Sequence, residues 1–146
     1  AVVLDPSYDA GKDNGATGSM LWPCPSCHTI TSPYGWRTHP IYHTQKYHSG
    51  VDIGASYGAT IVAADGGTVI TAGAVSGYGN CVVINHGNGI TTLYGHMSSI
   101  AVSSGQKVSK GQTIGYVGST GNSTGPHLHW EVTVNGVRQN PLNYAR

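Results

Sequence analysis

The chain contains no phenylalanine, few charged residues and only three cysteines. Charged residues make up 9% of its 146 positions, against roughly 25% in an ordinary globular domain. Seven basic and six acidic residues leave a formal charge of +1. That balance is too small to imply nucleic acid or an anionic membrane surface as partner. No apolar run approaches the ~20 residues of a membrane span. Ala1-Val2-Val3-Leu4 has neither the basic lead nor the long apolar stretch of a signal peptide, so any leader of a secreted protein lies outside this sequence. Every window of about a dozen residues with a helical period is broken by glycine, which excludes a helical domain.

What remains is distinctive. There are 22 glycines, nine tyrosines, three tryptophans and eight histidines. A surface low in charge and rich in Gly, Ser, Thr, Asn and Tyr suits an extracellular protein. The histidines make net charge rise below about pH 6.5. The length is that of one domain, enough to bury about two-thirds of its unfolded surface. Ala1–Ser19 has no sustained period and reads as a flexible lead or linker, with the domain proper spanning residues 20–146. From Met20 onward, short β-branched runs alternate with glycine. Thr60–Ala64 and Thr68–Ala72 flank Asp65-Gly66-Gly67, which predicts a hairpin. Cys81–Asn85 and Ile90–Tyr94 flank a turn around Asn88-Gly89, and His127–Val134 and Val137–Gln139 flank Asn135-Gly136; both predict hairpins with Asn-Gly turns. Gln112–Val117 predicts a further strand. The expected fold is all-β: an antiparallel sandwich or open barrel of short strands with long groove-forming loops and few or no helices.

The chemistry gathers in three motifs: His48-Ser49-Gly50-Val51-Asp52, Leu93-Tyr94-Gly95-His96 and Gly125-Pro126-His127-Leu128-His129. Together they hold two imidazoles and one carboxylate for an open zinc site, with two imidazoles left to move protons. Catalytic zinc keeps three protein ligands and an open position, whereas structural zinc is closed by four. In His127–Val134, alternation puts His127, His129, Glu131 and Thr133 on one face and Leu128, Trp130, Val132 and Val134 on the other. Either histidine of the pair is placed to bind metal. Glu131 shares their face, as an acceptor for one ring or as a wet-face carboxylate. A fully extended His48–Asp52 segment would hold its ends about 13 Å apart. Both can reach one ion only if the chain bends at Ser49-Gly50 or His48 enters from a loop. His28, His39, His43 and His86 read as loop bystanders.

Cys24-Pro25-Ser26-Cys27-His28 matches the pattern for c-type haem attachment, but the chain lacks the helices of a small haem protein. A zinc ribbon needs a second cysteine pair, and Cys81 stands alone. Cys24 and Cys27 are expected to form a local disulfide or to lie reduced; Cys81 reads as a small buried hydrophobe.

From Tyr34-Gly35-Trp36-Arg37 to Asn140-Pro141-Leu142 the chain resembles the lysostaphin-type zinc endopeptidases that cut bacterial cell-wall peptides. The resemblance rests on His48-Ser49-Gly50-Val51-Asp52-Ile53, Ala64-Asp65-Gly66-Gly67-Thr68-Val69, Gly77-Tyr78-Gly79-Asn80, Leu93-Tyr94-Gly95-His96, Gly111-Gln112-Thr113-Ile114-Gly115 and the run from Gly118 to Glu131. The Cys24–His28 element departs from that pattern. The resemblance implies one zinc ion per chain on His48, Asp52 and His129, catalytic roles for His96 and His127, and Tyr42 as the nearest match to an oxyanion-steadying tyrosine. Asn14 is a candidate for a metal-capping residue of latent forms. The resemblance also implies a peptidoglycan peptide as substrate and partner, in stem peptides or cross-bridges. It implies a monomer and a bacterial setting outside the cytoplasm, in the cell wall or periplasm. Gly77–Asn80 and Ser119–Gly125 are expected to line a shallow groove. The competing reading is a non-catalytic wall-binding or amidase-activating relative of the same fold.

Overall fold

A computed structural model describes residues 16–38, 45–121, 123 and 125–145. Tyr42, Asn14, His39 and His43 lie outside the described residues. Twelve strands are present among those described: β1 (Thr29–Ser32), β2 (Gly35–Thr38), β3 (Gln45–His48), β4 (Val51–Gly54), β5 (Thr60–Val62), β6 (Gly67–Val75), β7 (Gly79–Gly87), β8 (Ile90–Ile100), β9 (Lys107–Val108), β10 (Thr113–Val117), β11 (His127–Val134) and β12 (Val137–Gln139). A single 3-10 turn at Pro141–Asn143 is the helical content among the described residues, and no described helix is long and apolar enough to cross a membrane. The all-β expectation is borne out.

Ten strands join one antiparallel sheet, with a main path β1-β4-β11-β8-β7-β6-β9 and with β10 pairing both β5 and β8. A separate hairpin pairs β2 with β3. Val51, Ile53, Leu128, Trp130 and Val132 from the main path share a fully buried core with Ile61, Ile114 and Val117 from the β5–β10 leaf. That leaf, hydrogen-bonded to β8 through β10, therefore closes over the same core. Truncating a core residue such as Trp130, fully buried, is worth about 3–5 kcal/mol. The buried Tyr94 hydroxyl is satisfied by the Ala64 amide at 3.0 Å and by Thr92 Oγ1 at 2.6 Å.

The two Asn-Gly hairpins form at the expected positions. Asn88 and Gly89 (φ 54° and 78°) and Asn135 and Gly136 (φ 51° and 79°) supply the two consecutive left-handed residues such turns require. The Asp65-Gly66-Gly67 hairpin does not form. β5 pairs with β10, and β6 pairs with β7 and β9. Asp65 uses its carboxylate to accept the amides of Gly66, Thr17 and Gly18, so the turn carries the chain from one leaf to the other. His86 is also no loop residue: it sits in β7, 5% exposed, bonded to Gly66 O and Thr92 Oγ1.

Candidate metal centre

β11 builds the centre. On one side it pairs with β4, putting His129 directly opposite Asp52; on the other it pairs with β8, putting His129 opposite Gly95. Directly paired residues share a sheet face with Cβ atoms about 4.5–5.5 Å apart, so the pairing register delivers the Asp52 carboxylate to the His129 ring. Gly95 leaves its side of His129 clear, and the Tyr78 ring fills that space, with ring centroids 5.5 Å apart.

His48 arrives by the bend anticipated at Ser49-Gly50, where β3 of the small hairpin passes into β4 of the main sheet. A Cβ at Gly50 would run into the Trp130 carbonyl and Glu131 Cγ, so glycine permits the bend to press against β11. His48 Nε2 lies 3.3 Å from Asp52 Oδ2.

His96 has φ 60°, in the left-handed region. There β8 stops pairing with β11 and starts pairing with β10, through register shifts at Met97. Left-handed backbone at a non-glycine residue is sustained only where its surroundings fix it. Here the His96 amide donates to Tyr78 O at 2.7 Å, and its carbonyl accepts from Gly118 N at 3.0 Å. The loops expected to line a groove pack on each other: a Cβ at Gly79 would strike Thr120, and one at Gly121 would strike Gly79. This contact presents Thr120 O to His96.

Each of the four rings gives one nitrogen to an acceptor other than Asp52. His48 Nδ1 lies 2.9 Å from Pro33 O, His96 Nδ1 2.6 Å from Thr120 O and His127 Nδ1 3.0 Å from Gly125 O. A carbonyl only accepts, so each of these Nδ1 atoms carries the proton. Nε2 is then the unprotonated atom; that of His127 lies 3.5 Å from Asp52 Oδ1. His129 is reversed, with Nδ1 2.8 Å from Asp52 Oδ1 and Nε2 2.8 Å from Glu131 Oε2. The His96 and His127 rings lie 4.6 Å apart.

His48, Asp52 and His129 offer donor atoms all within 4.8 Å of one another. Two imidazoles and a carboxylate, with tautomers fixed from outside, fit a zinc ion, and His96 and His127 border the same space. Although burial works against it, hydrogen bonds from His129 and then His48 hold the Asp52 carboxyl well below the usual carboxylate range. Burial pushes His96 below the ordinary imidazole value, so it is neutral at pH 7 and able to accept a proton.

Glu131 is 2% exposed and is not the wet-face carboxylate that strand alternation allowed. Its Oε2 accepts from Ser49 Oγ and Tyr78 OH, each at 2.6 Å, and from His129; Oε1 accepts from Arg138 Nε at 3.0 Å. Against burial, His129 above all brings the Glu131 carboxyl down to about 2. Sequence reasoning missed Ser49, Tyr78 and Arg138. Arg138 was within reach, because the Asn135-Gly136 hairpin pairs it with Thr133 on the face of Glu131.

An all-β sheet presenting an open set of two histidines and an aspartate, flanked by two more histidines, has the architecture of a metal-dependent hydrolase. Residues 46–141 match the family model of Peptidase family M23, and the chain belongs to that family. It is 47% identical over 116 residues to the DD-carboxypeptidase/endopeptidase Mpg of Neisseria meningitidis, covering 80% of this chain but only 27% of that protein. A zinc-containing peptidase from Vibrio cholerae superposes with a TM-score of 0.79 at 34% identity, over 86% of this chain and 39% of the other. The catalytic domain of the antimicrobial peptidase lysostaphin from Staphylococcus simulans gives 0.72 at 32% identity, over 80% of this chain and 91% of that one.

Proposed function

We propose that this chain is a zinc-dependent endopeptidase domain acting on the peptides of bacterial peptidoglycan, with residues 20–146 as the working unit. His48 through Nε2, Asp52 through a carboxylate oxygen and His129 through Nδ1 hold the ion. Zinc bound there supplies Lewis-acid polarisation of the scissile carbonyl and brings the pKa of a bound water toward ~7. His96 and His127 are the proton carriers. Each has Nδ1–H tied to a backbone carbonyl, which leaves Nε2 as the unprotonated nitrogen, so one ring accepts the proton of the attacking water and one returns a proton to the leaving amine. General acid–base groups of this kind contribute about 10²–10⁴-fold.

The single observation that carries the proposal is the convergence of His48, His127 and His129 on Asp52, at 3.3, 3.5 and 2.8 Å, with the His96 ring 4.6 Å from that of His127. The name of the Neisseria relative, a DD-carboxypeptidase/endopeptidase, supports a DD cross-link as the first bond to test. Peptidoglycan as substrate supports a site of action in the wall or periplasm, and the domain is proposed to work as a monomer.

The test is mass spectrometry of muropeptides after incubation with several wall types, with and without a zinc chelator. New amino termini that vanish with chelator are expected. His127→Ala should abolish turnover while keeping the metal; His129→Ala should lose both. Undiminished cleavage in chelator, or wild-type metal affinity in His129→Ala, would overturn the assignment.

A further inference from the structure

The Cys24-Pro25-Ser26-Cys27 turn takes no part in the proposed metal centre. The Cys27 amide donates to Cys24 O at 3.0 Å, which closes a β-turn. A β-turn brings its first and fourth Cα atoms within about 7 Å, close to the ~4.4–6.8 Å that a disulfide spans. The Cys27 thiol lies 3.4 Å from Ser26 Oγ. The two thiols differ in access: Cys24 is fully buried in the main core, whereas Cys27 is only half-buried at its edge. The turn is held from both sides. Trp22 Nε1 donates to Cys27 O at 2.6 Å, and the His28 ring stacks on Trp22 at 5.6 Å, with Nε2 3.2 Å from Pro25 O. Among the described residues, no third His, Cys, Asp or Glu donor closes on the two sulfurs, which separates this turn from a metal half-site.

We propose that Cys24 and Cys27 form a thiol–disulfide exchange site, with Cys27 as the entry thiol and Cys24 as the resolving thiol. The reaction partner is a small-molecule or protein disulfide. The Cys27 thiolate attacks one sulfur of that disulfide, forming a mixed disulfide and expelling one thiolate. Cys24 gives up its proton to that thiolate and attacks Cys27 Sγ, forming the Cys24–Cys27 bond and expelling the second thiolate. The pair loses two electrons and two protons, and the partner disulfide is reduced to two thiols. The thiolate is the attacking form, and the two sites differ accordingly. Burial drives Cys24 up to about 12. At Cys27, hydrogen bonds from Ser26 and Cys24 outweigh desolvation and bring the thiol below its ordinary value. Cys81, fully buried in β7, is an internal control on the same chain.

The experiment is incubation of the full chain in graded reduced and oxidised glutathione, followed by alkylation, intact mass and peptide mapping. The expected product has lost two hydrogens, confined to the peptide holding Cys24 and Cys27, with Cys81 still a thiol. In the reduced protein, Cys27 should alkylate at least about tenfold faster than Cys24. Cys24→Ala should trap a stable glutathione adduct on Cys27, whereas Cys27→Ser should leave Cys24 unmodified. A glutathione adduct persisting on Cys27 of the wild-type chain would overturn the proposal, as would full alkylation of both thiols after oxidised glutathione. Because the wild-type readout stands alone, a folding failure of either variant does not rescue the idea.

Discussion

Glu131 Oε2 lies 2.8 Å from His129 Nε2, on the side of the ring opposite Asp52. The proposed metal ligand is thus gripped by a carboxylate that is itself held by Ser49, Tyr78 and Arg138. Such an outer partner fixes the tautomer and raises the basicity of the ligand, and its loss usually costs about 10–100-fold in metal affinity or activity. Glu131→Gln keeps the volume and removes the charge. Zinc affinity, read by competition with a chromogenic chelator, is expected to fall within that range. Affinity unchanged from wild type would mean that Glu131 serves only to neutralise Arg138.

Metal binding should release a proton. Despite burial, the flanking carboxylates raise the metal-free His129 to about 9, so the ring carries a proton on each nitrogen at pH 7. A ligand nitrogen must give up its proton to the ion. Because the folded pKa lies above the ~6.5 of an unperturbed histidine, the stabilisation this charge gives the metal-free chain is complete below about pH 6.5. It fades as pH climbs through about 9. Zinc affinity should therefore rise with pH across that interval, and calorimetry at pH 7.5 in buffers of different ionisation enthalpy should find about one proton released per site. Zero release would mean His129 is already neutral.

Strain at His96 predicts an inverted glycine–alanine order. Alanine ordinarily outranks glycine in regular structure by about 0.5–1 kcal/mol. With φ at 60°, His96→Ala retains the unfavourable backbone and His96→Gly relieves it. The glycine variant is expected to be the more stable of the two by about 1 kcal/mol in urea denaturation. Both should retain zinc and lose about 10²-fold or more in turnover. The usual order, with alanine ahead, would show that the left-handed backbone carries no strain.

The sequence made some of this legible because certain residues dictate local geometry by themselves. Asn135-Gly136 fixed the turn, the turn fixed the register of β11 with β12, and alternation then put His127, His129 and Glu131 on one face. Gly50, between His48 and Asp52, marked the bend. The β5–β10 pairing was not legible, because Asp65-Gly66-Gly67 has the composition of a hairpin turn. What redirects the chain is the capture of Thr17 and Gly18 by Asp65, a contact between distant residues. The burial of Glu131 was hidden for a related reason: what covers it are Ser49, Tyr78 and Arg138, each from a different stretch of chain. His86 looked like part of a glycine-rich turn because the motif around it is glycine-rich, while the strand continues through it to Gly87.

His86 should contribute to the loss of stability between pH 7 and pH 5. Burial depresses its pKa below the ordinary value, outweighing the opposing influence of Gly66 O and Asp65. Both ring nitrogens are already engaged, by Gly66 O and Thr92 Oγ1. A histidine held neutral in the fold binds its proton more readily when unfolded. Its stabilising contribution is therefore present above about pH 6.5 and is lost as pH falls toward the depressed folded value. His96 is depressed in the same direction and adds to the slope. His129 does not, since its contribution is flat below about pH 6.5. Urea denaturation of the metal-free chain between pH 7 and pH 5 should show stability dropping with acid, and His86→Gln should lose stability less steeply over that interval whatever its starting value. Parallel slopes for the two proteins would mean that protonation of His86 does not oppose the fold, and that the acid sensitivity belongs to other groups such as His96.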